Sequence, residues 1–435
     1  MSERPFRVAI AAQTIPDPHC GLGYFLVRAL QSLSVARPSW RFDVVASKSF
    51  AELATLGLPN VAVAFWDDSP GREAATRASR VLLRALGRSA EPRGVVQRYA
   101  ERFGVEPRRL NALWTDHASA DAIWVPQYNV HAGVLAPIEV GAAARTPRVL
   151  TIHDIHPAIF PDDWHAPALS RFWGPFADFA RDSTRLVTHT RFQRDAIVRH
   201  LGIPAERVGV VPIPPLIDAP RLVRAEPASA ATLAGLGIVG PFAFFPGSTT
   251  HSHKNHTRLI LAWSVLQRRL GARCPQLVCT AKGHRWPELS ALVAGLGLAG
   301  RVLFTDTVPT ATLTGLLKAS TLVVVPTLYE GGGSGPVADA CLVGRPVVCS
   351  RIGPIVEQLE AYGGVDVEYF DPESVLDIAR AVEQVLDTLP AAERRATATR
   401  DRLADRFTEL WGEWADYYAG QFASAATASS LAGVA

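Results

Sequence analysis

A lysine in one loop of the sequence has the right setting to bind a phosphate. Lys254 lies in the segment 242–260, FAFFPGSTTHSHKNHTRLI, where an apolar run ends in Pro-Gly and a polar loop leads into a helical pattern. An ammonium group at a helix entry can neutralise charge on a leaving phosphate. Because 40 of the 44 basic residues are arginines, a lysine here is informative. Lys254 is therefore a candidate for stabilising a leaving group, although an exposed surface lysine is the alternative.

A second loop combines glycines with two carboxylates. In the segment 323–353 a buried strand leads to Glu330, four glycines lie within Gly331–Gly335, and Pro336 can begin a helix. The backbone N–H groups and positive dipole of such a helix end suit a diphosphate. Glu330 and Asp339 bracket the loop, and carboxylates there fit hydroxyl groups of a sugar or ribose. The residues alone also allow a tight turn with Asp339 on a solvated helix face.

Three histidines surround the lysine and raise the question of a metal. His251, His253 and His256 have no carboxylate or cysteine partner close by in the sequence. Metal sites normally combine such ligands at defined spacings. We therefore expect polar loop contacts, and neither a metal ion nor a cofactor.

The elements that must position these loops alternate between short apolar runs and longer helical patterns. This alternation is typical of βαβ units and predicts an α/β fold with parallel sheets. Ligands of such sheets bind at the carboxyl ends of the strands, where both loops fall. Strands are predicted at Arg7–Ala11, Phe42–Ala46, Ala122–Val125, Arg148–Thr151, Arg185–Thr188, Val208–Val211, Phe242–Phe245, Gln276–Thr280, Val302–Thr305, Thr321–Val325 and Pro346–Cys349.

The length of 435 residues exceeds what one hydrophobic core usually supports, so two domains are expected. We predict an N-terminal, acceptor-side domain at 1–215, a proline-rich linker at 216–240 and a C-terminal donor-binding domain at 241–400. A helix at 401–422 is predicted to pack back on the N-terminal domain. The small residues of 423–435 are expected to form a disordered tail.

Composition excludes several classes of protein. With 44 basic and 41 acidic residues, the chain has no overall signature of nucleic-acid binding. Its five cysteines show no metal or disulfide spacing, and neither a signal peptide nor a membrane span is apparent. These features predict a cytoplasmic protein.

One segment is strongly basic. Arg72–Arg109 contains ten arginines and four glutamates, with Arg77, Arg80, Arg84 and Arg88 at helical spacing. A basic amphipathic helix can lie on an anionic membrane or contact an anionic acceptor. A solvated helix face is the simpler interpretation, so peripheral contact with an inner membrane surface is only one possibility.

The motifs YEGGGSGPVADA at 329–340, HKNH at 253–256 and TIHDIHP at 151–157 together resemble the retaining nucleotide-sugar glycosyltransferases of family 4. The resemblance runs over most of the chain, from the CGLGYFLVRAL segment at 20–30, and is dense in 240–360. It implies the GT-B fold, in which two Rossmann-like doubly wound domains face each other. It also implies metal-independent transfer of a hexosyl group from a nucleotide-diphosphate sugar, as in bacterial carbohydrate or natural-product biosynthesis. The acceptor, a saccharide, a lipid-linked glycan or a natural product, is unspecified.

By this resemblance, individual residues acquire roles. Glu330 looks like the first of two glutamates that hold the donor sugar and the ribose, and Asp339 like the second, with one residue inserted. Lys254 matches the diphosphate-binding lysine, whereas Ser248 replaces an arginine that the family often carries. The amides of Gly333, Ser334 and Gly335 are expected to bind the phosphates, together with Gly21 and Gly23. The segment around Val308 is expected to contact the base. His153 and Asp154 are expected to contact the reacting sugar.

Two other functions fit the same sequence. A sugar-nucleotide epimerase of this fold would act on the donor alone. A non-catalytic subunit that binds a nucleotide sugar would be consistent with the departures at Ser248 and Asp339.

Overall fold

The computed structural model describes residues 4–432 except 16–19, 67–104, 129–135, 140–142, 165, 218–221, 223, 248–250 and 281–285. Within these residues the chain forms two parallel β-sheets flanked by helices. Most strands are buried on both sides, which explains their continuous apolar sequences.

The first sheet has seven strands in the order β3-β2-β1-β4-β5-β6-β7. All of its strand pairs are parallel, for example β1 with β4. From β1 the strand order therefore runs outward in both directions, as in a doubly wound fold. Its strands are β1 Arg7–Ala11, β2 Arg41–Ala46, β3 Val61–Phe65, β4 Ala122–Val125, β5 Arg148–Thr151, β6 Arg185–Thr188 and β7 Val208–Val210.

The second sheet repeats this plan with six strands in the order β10-β9-β8-β11-β12-β13. Its order reverses between β8 and β11, which are neighbours in the sheet. The prediction of two doubly wound parallel sheets is thus confirmed. Its strands are β8 Phe242–Phe245, β9 Gln276–Cys279, β10 Val302–Phe304, β11 Leu322–Val325, β12 Val347–Ser350 and β13 Glu368–Phe370.

Helices pack against both sheets. The α-helices are α1 Gly21–Ala36, α2 Val105–His117, α3 Ala136–Glu139, α4 His156–Ile159, α5 Ala166–Asp182, α6 Arg191–Leu201, α7 Ala230–Gly235, α8 His256–Leu270, α9 Pro287–Gly295, α10 Thr310–Ala319, α11 Gly335–Val343, α12 Gly353–Ala361, α13 Val375–Asp387 and α14 Leu389–Ala432. Short 3₁₀ segments occur at Ala12–Thr14, Lys48–Thr55, Pro161–Asp163, Ala205–Arg207, Ser252–Lys254 and Gly271–Arg273.

The chain has two halves, one carrying the first sheet and one carrying the second, and helix α14 links them. Its aromatic residues pack on α1 and on the first sheet: the ring of Trp414 lies 5.5 Å from that of Phe25 in α1, and the Tyr418 hydroxyl lies 2.8 Å from Thr151 Oγ1 in β5. The helix continues to Ala432, so the prediction of a disordered tail is wrong for residues 423–432. Alanine-rich sequence favours helix, and Ala425 is buried in the core.

The described helices include none that is both long and apolar enough to cross a bilayer.

Candidate functional site

A cavity of about 350 Å³ lies between the two sheets. Residues that follow β8 and β11 line one side, including Lys254 and Glu330, and residues that follow β5 line the other, including His153 and Asp154. The structure thus brings these four predicted residues to one place. The second sheet reverses its strand order at β8 and β11, and this is where open parallel sheets bind their ligands.

Lys254 and Glu330 form an ion pair inside this cavity. The lysine Nζ donates to Glu330 Oε1 at 2.7 Å, and the two side chains are only 18% and 16% exposed. Enclosure makes the attraction stronger than at a surface. The pair therefore holds a cation and a carboxylate side by side, as recognition of a phosphate next to hydroxyl groups requires.

Asn255 fixes the turn that presents the lysine. Its backbone is left-handed, with φ of +59°, a conformation that asparagine tolerates better than most residues. Its buried side-chain amide donates to the carbonyls of Pro326 at 2.9 Å and Pro372 at 2.7 Å. These bonds tie the Lys254 turn to the end of β11, close to Glu330.

The glycine-rich loop packs directly on the opposite half of the molecule. Thr190 Oγ1 donates to the carbonyl of Gly331 at 2.8 Å. A Cβ on Gly331 would overlap the His153 carbonyl and lie 2.7 Å from Asp154 Cα, and a Cβ on Gly332 would lie 2.9 Å from His189 Cδ2. Glycine is required at these two positions because the backbone approaches the other half so closely.

The amides predicted to cradle the phosphates are not equally available. The N–H of Ser334 donates to Gln358 Oε1 at 2.7 Å, so it is already bonded in this conformation. Gly333 has a φ of +96° and its Cα faces the same glutamine side chain. Gly335 begins α11, whose first turn holds Pro336 and no acidic residue. The N-terminus of α11 therefore keeps the character of an anion site.

Asp339 lies on α11 outside the lining of the cavity. Burial raises the pKa of its carboxyl to about 7. A carboxyl of this kind is protonated in the folded protein at pH values where the unfolded chain has already ionised it. The stability of the fold consequently decreases as the pH rises from about 4 to about 7.

Asp339→Asn should therefore stabilise the protein at pH 8 and have little effect at pH 4. Each unit of pKa difference corresponds to about 1.4 kcal/mol, so we expect a gain of roughly 1–4 kcal/mol in the free energy of unfolding at pH 8. Urea denaturation at the two pH values measures this. Equal stability of variant and wild type at pH 8 would contradict the raised pKa.

His153 is bonded to a histidine that the sequence analysis did not identify. His189 Nε2 lies 3.0 Å from His153 Nδ1, while His153 Nε2 faces the carbonyl of Pro126 at 2.9 Å. His189 follows β6, the neighbour of β5 in the sheet. Burial lowers the pKa of both imidazoles, that of His189 to about 3.

Tyr329, next to Glu330, bridges the cleft. Its hydroxyl accepts from the N–H of Ile155 at 3.0 Å and donates to Gln193 Oε1 at 2.8 Å. Burial raises the pKa of this phenol, which therefore stays protonated and able to donate. A second link is Glu357, whose carboxylate accepts the N–H groups of Arg191 and Phe192 at the start of α6. These contacts show the two halves in a closed arrangement.

The histidines near Lys254 have no carboxylate close by in the sequence, but Asp163 from the other half of the chain lies next to them in the fold. Asp163 Oδ2 lies 3.1 Å from His156 Nε2 and 3.8 Å from His253 Nδ1, and the three atoms lie within 4.8 Å of one another. Trp164 Nε1, however, donates to His156 Nδ1 at 3.0 Å. The proton of neutral His156 is then on Nε2 and points to Asp163. A metal ion would have to displace that proton and break the Trp164 contact, so the arrangement fits a His–Asp hydrogen bond better.

The other predicted residues are dispersed. Gly21 and Gly23 occupy the first turn of α1, and in the same turn the Tyr24 hydroxyl lies 3.4 Å from Thr310 Oγ1 at the start of α10. Val308, two residues earlier, is half-buried against the core. This places α1 opposite the segment predicted to line the base. Ser248 and the basic segment Arg72–Arg109 fall on residues, or side chains, outside those that the structure describes.

Comparison with known proteins finds a family match within the second half of the chain. The profile of the family described as glycosyl transferases group 1 matches residues 240–388. This stretch of the chain therefore resembles a glycosyltransferase domain. It contains Lys254, Glu330 and the whole glycine-rich loop.

Curated relatives of this chain are glycosyltransferases by name. A D-inositol 3-phosphate glycosyltransferase of Acidothermus cellulolyticus is 29% identical over 48% of this chain and 47% of its own length. A 2-deoxystreptamine glucosyltransferase of Streptomyces kanamyceticus is 26% identical over 52% of this chain and 57% of its own length. The chain thus matches about half the length of these relatives.

Solved structures extend the likeness to the whole fold. Anabaena HepE in complex with UDP-glucose superposes with a TM-score of 0.64 at 15% identity, over 95% of this chain and 99% of that one. Sucrose-phosphate synthase from Thermosynechococcus elongatus gives a TM-score of 0.62 at 18% identity, over 97% and 100%. The chain therefore has the GT-B fold that the motifs implied.

Proposed function

We propose that this protein is a retaining glycosyltransferase of family 4 that moves a hexosyl group from a nucleotide-diphosphate sugar to an acceptor hydroxyl. The observation that carries the proposal is the Lys254–Glu330 pair, enclosed in a cavity between two doubly wound sheets and facing His153 and Asp154. The family match over 240–388 covers the two loops that supply this pair.

Lys254 and the N-terminus of α11 would stabilise the leaving diphosphate. Glycosyl transfer builds positive charge on the sugar and negative charge on the leaving group. A preorganised ammonium and a helix N-terminus offset that negative charge without rearrangement. Glu330 would accept hydrogen bonds from sugar hydroxyls and keep the lysine in place. His153 and Asp154 would contact the reacting sugar from the other half.

We assign a front-face route with retention of configuration. The bond from the anomeric carbon to the diphosphate oxygen breaks, and the acceptor oxygen bonds to the same face of that carbon. The acceptor hydroxyl proton passes to an oxygen of the departing diphosphate. NMR of the product should show the anomeric configuration of the donor, and inversion would exclude this route.

The aromatic part of the cavity is suited to the acceptor. Phe172 and Phe176 of α5 stack at 5.3 Å, and the rings of Tyr128 and Phe176 lie 5.4 Å apart. These side chains line the same cavity as Glu330. Sugar or cyclitol rings present apolar faces and polar edges, so they match a wall of this kind.

A thermal-shift panel of UDP-, GDP-, ADP- and TDP-sugars, followed by turnover assays, tests the function. A bound donor raises the melting temperature by mass action. Transfer that depends on a sugar or cyclitol acceptor supports the proposal. Epimerisation of the donor without acceptor would show an epimerase, and binding without any turnover would show a non-catalytic subunit.

A separate assay tests the basic segment. Co-sedimentation with vesicles of anionic lipid, which zwitterionic vesicles do not reproduce, would support peripheral membrane contact through Arg72–Arg109.

Excess chelator should leave the rate of transfer unchanged. The positive charge that a divalent ion would supply comes instead from Lys254 and the α11 helix end. Initial rates with and without EDTA measure this. A loss of rate that added Mg²⁺ or Mn²⁺ restores would contradict metal independence.

A further inference from the structure

Two imidazoles, that of His189 buried and that of His153 partly buried, form a chain between two backbone carbonyls at the edge of the cleft. The chain runs from the Val211 carbonyl to His189 Nδ1 at 3.2 Å, from His189 Nε2 to His153 Nδ1 at 3.0 Å, and from His153 Nε2 to the Pro126 carbonyl at 2.9 Å. His189 is only 2% exposed. We call these two residues the histidine pair.

The histidine pair lacks one proton in its neutral form. Its three contacts each need a proton, because both carbonyls can only accept and each imidazole nitrogen must donate or accept. Two neutral imidazoles carry two protons, so one contact sets two acceptors against each other. One additional proton on the pair would satisfy all three contacts.

The surroundings keep this proton off while the cleft is empty. Phe25 packs on both imidazoles in T-shaped contacts, with ring centroids 4.9 Å from His153 and 5.9 Å from His189. Burial in such surroundings lowers the pKa of both histidines. The charged groups near the pair are Asp154, which raises the pKa of His153, and the Lys254–Glu330 pair in the same cavity.

The histidine pair adjoins the loop proposed to bind the diphosphate. Gly332 lies against the His189 ring, and Gly331 lies against the backbone of His153. An anion in this loop would bring negative charge next to the pair and favour its protonated form.

We propose that the histidine pair takes up one proton from solvent when a nucleotide diphosphate binds in the cleft. His189 is then a positioning residue: it orients His153 and lets the pair carry one positive charge beside the bound anion. This inference rests on the proposed function, since it requires an anion in the cleft.

The sign of the resulting pH dependence follows from linkage. Binding raises the pKa of the histidine pair, so protons are taken up at pH values between those of the free and bound states. Affinity is highest below the pKa of the free state, decreases by up to about tenfold per pH unit between the pKa values of the free and bound states, and is constant above the pKa of the bound state.

Calorimetry in buffers of different ionisation enthalpy measures the proton directly. UDP, GDP, ADP and TDP are screened first, and the tightest binder is titrated at about pH 7 into wild type, His189→Gln and His200→Gln. A glutamine at 189 can donate to His153 Nδ1 without an additional proton, and His200 is an exposed histidine at the end of α6. Protons released by the nucleotide cancel when variants are compared.

We expect wild type and His200→Gln to take up roughly 0.5–1 proton more per nucleotide than His189→Gln, with a flatter pH profile of affinity in the latter. Equal uptake in wild type and His189→Gln would overturn the proposal. If His189→Gln fails to fold, the nucleotide affinity of wild type is measured between about pH 6 and 9 instead. An affinity that does not decrease with rising pH would then overturn the proposal. Absence of binding by all four nucleotides would overturn both this inference and the proposed function, whereas binding without proton uptake overturns the inference alone.

Discussion

Glu330→Gln and Lys254→Ala should each reduce turnover by a factor on the order of 10² or more, by analogy with the loss of one preorganised donor. The two side chains share an enclosed ion pair of 2.7 Å, so removing either charge leaves the other without its partner. Lys254→Ala removes a cation from the leaving group. Glu330→Gln keeps the shape but weakens the hold on both the lysine and the sugar hydroxyls.

The pair should also behave as one unit in a double mutant. Residues that act together show strongly non-additive effects, so the double variant should be little slower than the poorer single variant. Steady-state kinetics with a saturating donor measures all three. Glu393→Gln and Arg268→Ala, at exposed positions on α14 and α8, are matched controls and should leave the rate unchanged. Wild-type turnover in either site variant would show that the reaction occurs elsewhere.

Much of the fold could be predicted because its strands are buried on both faces. Strands such as Phe242–Phe245 and Ala122–Val125 are continuous apolar runs, and their predicted bounds agree with the structure. The strands Val61–Phe65 and Glu368–Phe370 were not predicted. Both lie at sheet edges and are partly exposed. Glu368–Phe370 has only three residues and begins with a glutamate, whereas Val61–Phe65 is a continuous apolar run that the sequence analysis overlooked. Helix α14 was predicted too short because its flanking alanines carry no amphipathic pattern.

Some residues of the candidate site are recognisable from the local sequence, whereas others reach the site only through contacts between distant parts of the chain. Lys254 and Glu330 could be found because each follows a buried strand in a recognisable loop. His189 and Asp163 could not, because they contact the site only after other strands bring them there. The one usable signal was positional: His189 directly follows the strand Arg185–Thr188, as His153 nearly does Arg148–Thr151. The bond from Ser334 N–H to Gln358 likewise spans 24 residues, and no local motif indicates it.

Gly331→Ala should lower turnover by a factor on the order of 10² while leaving the protein folded, since misplacement by about 1 Å is enough for such a loss. The added Cβ would overlap the carbonyl of His153 across the cleft. The clash exists only when the two halves are closed, so the open protein should accept the alanine and still bind nucleotide through Lys254. We therefore expect kcat to decrease far more than nucleotide affinity.

Gly420→Ala is the matched control, because a Cβ at that position of α14 meets nothing within 4 Å. It should leave both kcat and the melting temperature close to those of wild type. Small-angle scattering with bound nucleotide provides a second readout: Gly331→Ala should keep a larger radius of gyration than wild type because closure is blocked. If Gly331→Ala instead turns over at the wild-type rate, the contact between the glycine-rich loop and His153 is not needed for catalysis. Closure would then have to act through Tyr329 and Glu357, whose bonds across the cleft the alanine does not touch.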